Sequence, residues 1–202
     1  MKRIEIYRHT LKDGKTKNTA GPKGLALAMA QGTARNDVVK DEKAVEYTKA
    51  THGVEVRTAQ TLVSFLMGAE GSLPEILPPI EGFGSDPLFA KMIEPSQFRT
   101  LAASMGNFKA LLALHPMEQV KEWAEFCHAG LVDFFEQLTG ADLGLAMSHS
   151  PSIELALWRA GNYADLSDEF TSFAEMEGVI IEMDEEGNIT PIEKIPAPVP
   201  AA

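Results

Sequence analysis

The 202-residue sequence has a single cysteine, Cys127, so no internal disulfide can form and a reducing cytoplasm is the simplest setting for the chain. Basic residues are scarce. Lys and Arg total 18 against 29 Asp and Glu, which leaves a formal net charge of −11. Association with nucleic acid depends on clustered cations that neutralise phosphates, so this balance argues against a nucleic-acid partner. A small local anion site can still sit inside an acidic surface. Long apolar runs are also missing: no stretch reaches the roughly 20 residues that a membrane-spanning helix needs, and the Met1–Tyr7 segment has too short an apolar run for a secretory signal. The histidines His9, His52, His115, His128 and His149 show no close ligand spacing, so neither a metal nor another cofactor is expected.

What is present fits a globular α/β protein. Apolar residues make up 45% of the chain and charged residues 23%, enough for a substantial core in one domain over residues 1–195, followed by a loose Pro/Ala-rich tail over 196–202. Ile4 and Ile6 alternate with polar residues in a first strand, Lys2–Tyr7. Pro22 opens a helix expected to end near Gly32. A second strand is expected around Val45 and Tyr47, and a second helix from about Arg57 to Gly68. Residues 71–95 are rich in Gly and Pro and read as loop. Ser96 caps a helix through Phe98, Leu101, Met105, Phe108 and Leu112 that Gly106 weakens, and Met117–Leu138 has the clearest helical periodicity. A short apolar run, Leu143–Met147, precedes Ser148-His149-Ser150 and a helix from Pro151 to about Ala160. The last two strands, Val179–Met183 and Ile189–Ile195, flank Asp184-Glu185-Glu186-Gly187-Asn188 as a hairpin that either extends the sheet or mediates a homodimer.

Arg8-His9 and His149 follow strands, and Arg57 opens a helix. In open α/β sheets ligands gather at the carboxyl ends of strands, so these four side chains are candidates for one anion pocket. Arginine suits phosphate because its planar fork donates parallel hydrogen bonds. A neutral imidazole can attack phosphorus and divide a hard displacement into two easier ones.

At these residues the sequence resembles the histidine phosphatase superfamily, its phosphoglycerate-mutase-like branch. The family's Arg-His-Gly motif is similar to Arg8-His9-Thr10. Its helix-opening Pro-x-Gly-x-x-x-Ala resembles Pro22-Lys23-Gly24-Leu25-Ala26-Leu27-Ala28. Its second arginine resembles Arg57-Thr58-Ala59-Gln60-Thr61, and its late strand ending in histidine resembles Ala146-Met147-Ser148-His149-Ser150-Pro151. The resemblance implies a three-layer α/β/α sandwich around a mostly parallel sheet. It also implies a phosphoric monoester hydrolase of the histidine acid phosphatase type, acting on a small phosphorylated substrate without a metal.

By the same resemblance His9 is the nucleophile, while Arg8, Arg57 and His149 hold the phosphoryl oxygens. Glu81, in Glu81-Gly82-Phe83-Gly84, is the general acid, with Asp86 and Glu94 as reserves. Thr10 stands where the family has Gly, and its hydroxyl is a candidate phosphate ligand beside Ser150 and Asn18. Lys12, Lys15 and Lys17 read as a solvated loop. The alternatives are a phosphomutase using the same phosphohistidine and a catalytically silent binder of phosphorylated ligands.

Overall fold

The computed structural model describes residues 1–13, 19–41, 46–84, 95–140 and 142–199. Strand β1 (Lys2–Arg8) leads to helix α1 (Pro22–Asp41), then β2 (Tyr47–His52), α2 (Val56–Gly68) and a two-residue strand β3 (Glu75–Ile76). A 3₁₀ turn, Glu81–Phe83, follows. Helices α3 (Pro95–Met105), α4 (Asn107–Leu114) and α5 (Met117–Gln137) come next, then β4 (Leu143–Ser148), α6 (Ser152–Ala160), β5 (Gly178–Met183) and β6 (Ile189–Ile195).

The strands form one sheet in the order β3-β2-β4-β1-β5-β6. The β3–β2, β2–β4 and β4–β1 pairings are parallel, while β5 and β6 add antiparallel strands beside β1. The C-terminal hairpin therefore extends the sheet.

Alternation along each strand divides the core between two helical layers. Ile4, Ile6, Ala146, Val179 and Ile181 pack with Trp123, Phe134 and Leu155 of α5 and α6. Tyr7, Leu145, Met147 and Ile180 pack on the other face with Ala28, Leu62 and Phe65 of α1 and α2. Both faces of the central strands are covered, so β4 is buried throughout, as expected of an interior parallel strand. Each large side chain buried in this way contributes roughly 1.5–3 kcal/mol. A buried carboxylate interrupts the second layer: Glu5 accepts hydrogen bonds from Tyr7 Oη (2.7 Å), Tyr47 Oη (2.6 Å) and Arg35. Burial and that carboxylate push both phenols well above their ordinary values.

Two glycines behave differently from what the sequence suggests. Helix α1 runs through Gly32 to Asp41 instead of stopping there. A Cβ at Gly32 would lie 2.1 Å from Phe65 O, and one at Gly68 would lie 1.9 Å from Met29 O, so the pair lets the α1 and α2 backbones touch. Gly106, with φ +86°, divides the single helix expected between Ser96 and Leu112 into α3 and α4.

Candidate active site

Register places three strand ends side by side. Arg8 pairs with Ser148 across β1–β4, and Met147 pairs with His52 across β4–β2. His9 and His149 each follow their strand by one residue, and His9 N–H donates to Ser148 O (2.8 Å). The chain turns after β2, and Thr58 Oγ1 ties that turn down by donating to Gly53 O (2.6 Å). Arg57, at the start of α2, is thereby swung over the strand ends.

There Arg57 bridges two imidazoles. Its Nε–H donates to His9 Nε2 at 3.2 Å, and its Nη2 lies 3.2 Å from His149 Nδ1. The two rings meet edge to face with centroids 4.6 Å apart. His9, Arg57 and His149 are 5%, 7% and 7% exposed, so these contacts form almost out of water.

The contacts fix both tautomers. His9 Nδ1–H donates to Thr10 O (2.6 Å), which leaves the lone pair on Nε2. A guanidinium can only donate, so His149 accepts at Nδ1 and carries its proton on Nε2. That Nε2 is buried without a hydrogen-bond partner among the described residues. Burial, then the charge of Arg57, pull His9 down to about 3. Burial and His9 hold His149 well below the ordinary histidine range. Both rings are neutral near neutral pH, one with its Nε2 lone pair accepting from Arg57 and one with a donor that has no acceptor among the described residues.

Around them lies an open cavity of about 1190 Å³ whose walls include Arg8, Lys12, Arg99, Asn107, Ser150 and Glu175. Arg8 belongs to the cavity, but its terminal nitrogens are engaged: Nη1 donates to Phe173 O and Nη2 to Glu175 Oε1 (3.1 Å). Its Nε is buried without a hydrogen-bond partner among the described residues. Glu55 pairs with Arg57 Nη1 at 2.5 Å. Lys12 faces the cavity and has a lowered pKa, through burial and the nearby Arg57.

Two expectations change. The Thr10 hydroxyl does not face the cavity: Thr10 is fully buried, and its Oγ1 donates to Gly24 O at 2.7 Å, fastening the residue after His9 to α1. Glu81 does not line the cavity, because its 3₁₀ turn buries Gly82 and Phe83 and leaves the carboxylate exposed. Lys12 is exposed, as expected of a solvated loop, and also lines the open cavity. Ser150 does line the cavity, where its hydroxyl is held by Asn107 and Glu154. Asn18, Lys15, Lys17, Asp86 and Glu94 lie outside the described residues.

Sequence reasoning missed Glu55, Asn107, Glu154 and Glu175. Glu55 stands two residues before Arg57 and was within reach of a spacing argument. Glu154, five residues after His149, was within reach of the same argument, while Asn107 and Glu175 come from segments that only the tertiary fold brings to the strand ends.

No protein-family model and no curated protein matches the sequence. Solved structures do. The protein histidine phosphatase SixA, complexed with tungstate, is similar at 16% identity, with 96% of each chain covered and a TM-score of 0.53. A phosphoserine phosphatase variant from Entamoeba histolytica, in complex with phosphoserine, is 11% identical over 96% of this chain and 97% of that one, with a TM-score of 0.62. Phosphoglycerate mutase from Bacillus anthracis is 14% identical over 94% and 91%, with a TM-score of 0.58. Such identities speak to architecture and not to substrate. The chain has the phosphoglycerate-mutase-like α/β fold that these solved structures share.

Proposed function

We propose that the protein is a phosphoric monoester hydrolase that passes the phosphoryl group through His9. The observation that carries this reading is the neutral His9 ring, its proton held on Nδ1 by Thr10 O and its Nε2 lone pair under the Arg57 guanidinium. A substrate phosphoryl group draws the Arg57 donors onto its oxygens and so releases Nε2. That lone pair attacks phosphorus in line with the departing oxygen, and water then hydrolyses the phosphohistidine. Charge on the equatorial oxygens is met by Arg57, by the His149 Nε2–H that has no acceptor among the described residues, and by Arg8 once Glu175 yields it.

These cations belong to the chain itself, so phosphate release is expected to survive chelators. The test is release of inorganic phosphate from 4-nitrophenyl phosphate in the presence of EDTA. Wild type is expected to turn over and His9→Ala is expected to be inactive.

The grip of Glu175 on Arg8 favours one second reading, a binder of phosphorylated ligands without turnover. That reading predicts a higher melting temperature in phosphate and no release above the His9→Ala background.

A further inference from the structure

A leaving alkoxide needs a proton, and Glu81 stands outside the cavity. Another carboxyl stands directly behind the cavity wall. Glu154, in the first turn of α6, is 0% exposed, yet the Ser150 hydroxyl donates to its Oε1. Ser150 lines the cavity next to His149, and Asn107 Nδ2, from α4, donates to the same hydroxyl at 2.7 Å. Glu154 Oε2 is buried without a well-formed hydrogen bond. A fully buried carboxyl with one oxygen left over is a costly feature of a helix. The Ser150 hydroxyl links it to the cavity.

We propose that Glu154 stores the proton for the leaving group and that Ser150 hands it over. This inference rests on the phosphohistidine reading above. In the first half-reaction His9 Nε2 forms the N–P bond as the ester P–O bond breaks. With Glu154 protonated the Ser150–Glu154 hydrogen bond reverses, so that Glu154 donates to Oγ and the Ser150 proton turns to the departing oxygen. That oxygen takes the proton of Ser150 Oγ, Oγ takes the proton of Glu154, and Glu154 is left as a carboxylate. In the second half-reaction water attacks phosphorus and the P–N bond breaks. A water proton returns through Ser150 Oγ to Glu154. Ser150 is the group that touches the substrate, and Glu154 positions and recharges it.

The surroundings keep that proton available. Burial raises the Glu154 carboxyl to about 7, against the opposing pull of the Ser150 hydrogen bond, nearby backbone amides and Arg8. Arg8, at the end of β1, is one of the charges that act on this carboxyl, and the elements packed on α6 bring others. Helix α5 contributes Glu125, paired with Arg159, and His128. Strand β6 contributes Lys194, paired with Glu177, and the 3₁₀ turn contributes the exposed Glu81. Asn107 donates and so cannot accept the serine proton, which leaves that proton to travel between Glu154 and the cavity.

The test measures kcat for 4-nitrophenyl phosphate, phenyl phosphate and glycerol phosphate in wild type, Ser150→Ala, Ser150→Thr, Glu154→Gln and His9→Ala. The loss in Ser150→Ala and Glu154→Gln is expected to grow with the basicity of the leaving oxygen, reaching about 10²-fold for glycerol phosphate, the usual scale of general acid catalysis. Ser150→Thr keeps the hydroxyl and restores most of that loss. In Glu154→Gln the decline of kcat above about pH 7 disappears. Equal losses across the three esters overturn the relay, while a His9-dependent release of phosphate keeps the phosphohistidine reading. If wild type releases no phosphate from any of the three, both are overturned. Melting temperatures of the variants separate a folding defect from a chemical one, because a structural role for Glu154 does not change leaving-group dependence.

Discussion

Arg57 Nε lies 3.2 Å from His9 Nε2, so the guanidinium that the proposal assigns to phosphate covers the lone pair that it assigns to attack. Burial first, and then this contact, keep His9 unprotonated, because a proton on Nε2 would face the guanidinium at hydrogen-bond distance. In the proposed reaction one side chain would both keep His9 ready and grip the substrate.

Removing Arg57 therefore has two separable effects. Arg57→Lys keeps a charge but loses the fork, and kcat is expected to fall about 10²- to 10³-fold, as for loss of an oxyanion donor. Arg57→Ala also removes a charge that lowers the His9 pKa, so the acidic limb of its kcat/KM profile is expected to move to higher pH. An unmoved limb contradicts the electrostatic role, and an unchanged kcat contradicts the grip.

Stability should follow pH through the same histidine. His9 is pulled from about 6.5 in the unfolded chain to about 3 in the fold, so between those values the unfolded chain binds more protons. Stability is then fully present above the unfolded value and is lost as pH falls toward the folded one, by roughly 1.4 kcal/mol per pH unit from this group. Urea unfolding of wild type and His9→Asn, compared from about pH 7 to about pH 5, reads the difference. Parallel declines in the two proteins would remove His9 from the account.

Glu175 holds Arg8 Nη2 at 3.1 Å, and the pair is only partly shielded from solvent. Glu175→Gln removes the competing charge. Inhibition by inorganic phosphate is expected to tighten several-fold, in line with about 1 kcal/mol for such a pair. Weaker inhibition would mean that Glu175 orients Arg8 for phosphate instead of restraining it.

The layers and the four converging residues were legible in the sequence because they rest on local signals. Ile4 and Ile6 show the strand period, Pro22 a helix start, and Arg8-His9 and His149 the ends of apolar runs. The C-terminal hairpin was visible too, though not that it would lie beside β1. What the sequence hid depends on distant contacts. Gly32 carries the composition of a helix stop, and only the α2 backbone against it explains why the helix continues. Glu154 reads as an ordinary first-turn acid until Asn107 arrives from α4 to hold Ser150, four residues before Glu154. Thr10 looked like a phosphate ligand because it follows the nucleophile, but the approach of Gly24 claims its hydroxyl.

That last contact is testable by itself. Thr10→Val keeps the shape and removes the donor to Gly24 O. The expected cost is about 1 kcal/mol of unfolding free energy, the net worth of one such hydrogen bond, with kcat changed less than about threefold. A kcat loss beyond about tenfold with unchanged stability would return the hydroxyl to the substrate.

The most direct measurement is mass spectrometry of the His9 peptide after rapid alkaline quenching during turnover of 4-nitrophenyl phosphate. The account predicts a phosphoryl group on His9 in wild type, accumulating in proportion to early nitrophenol release and absent in His9→Ala. Phosphate release with no phosphoryl group on His9, or with the group on another residue, would contradict it.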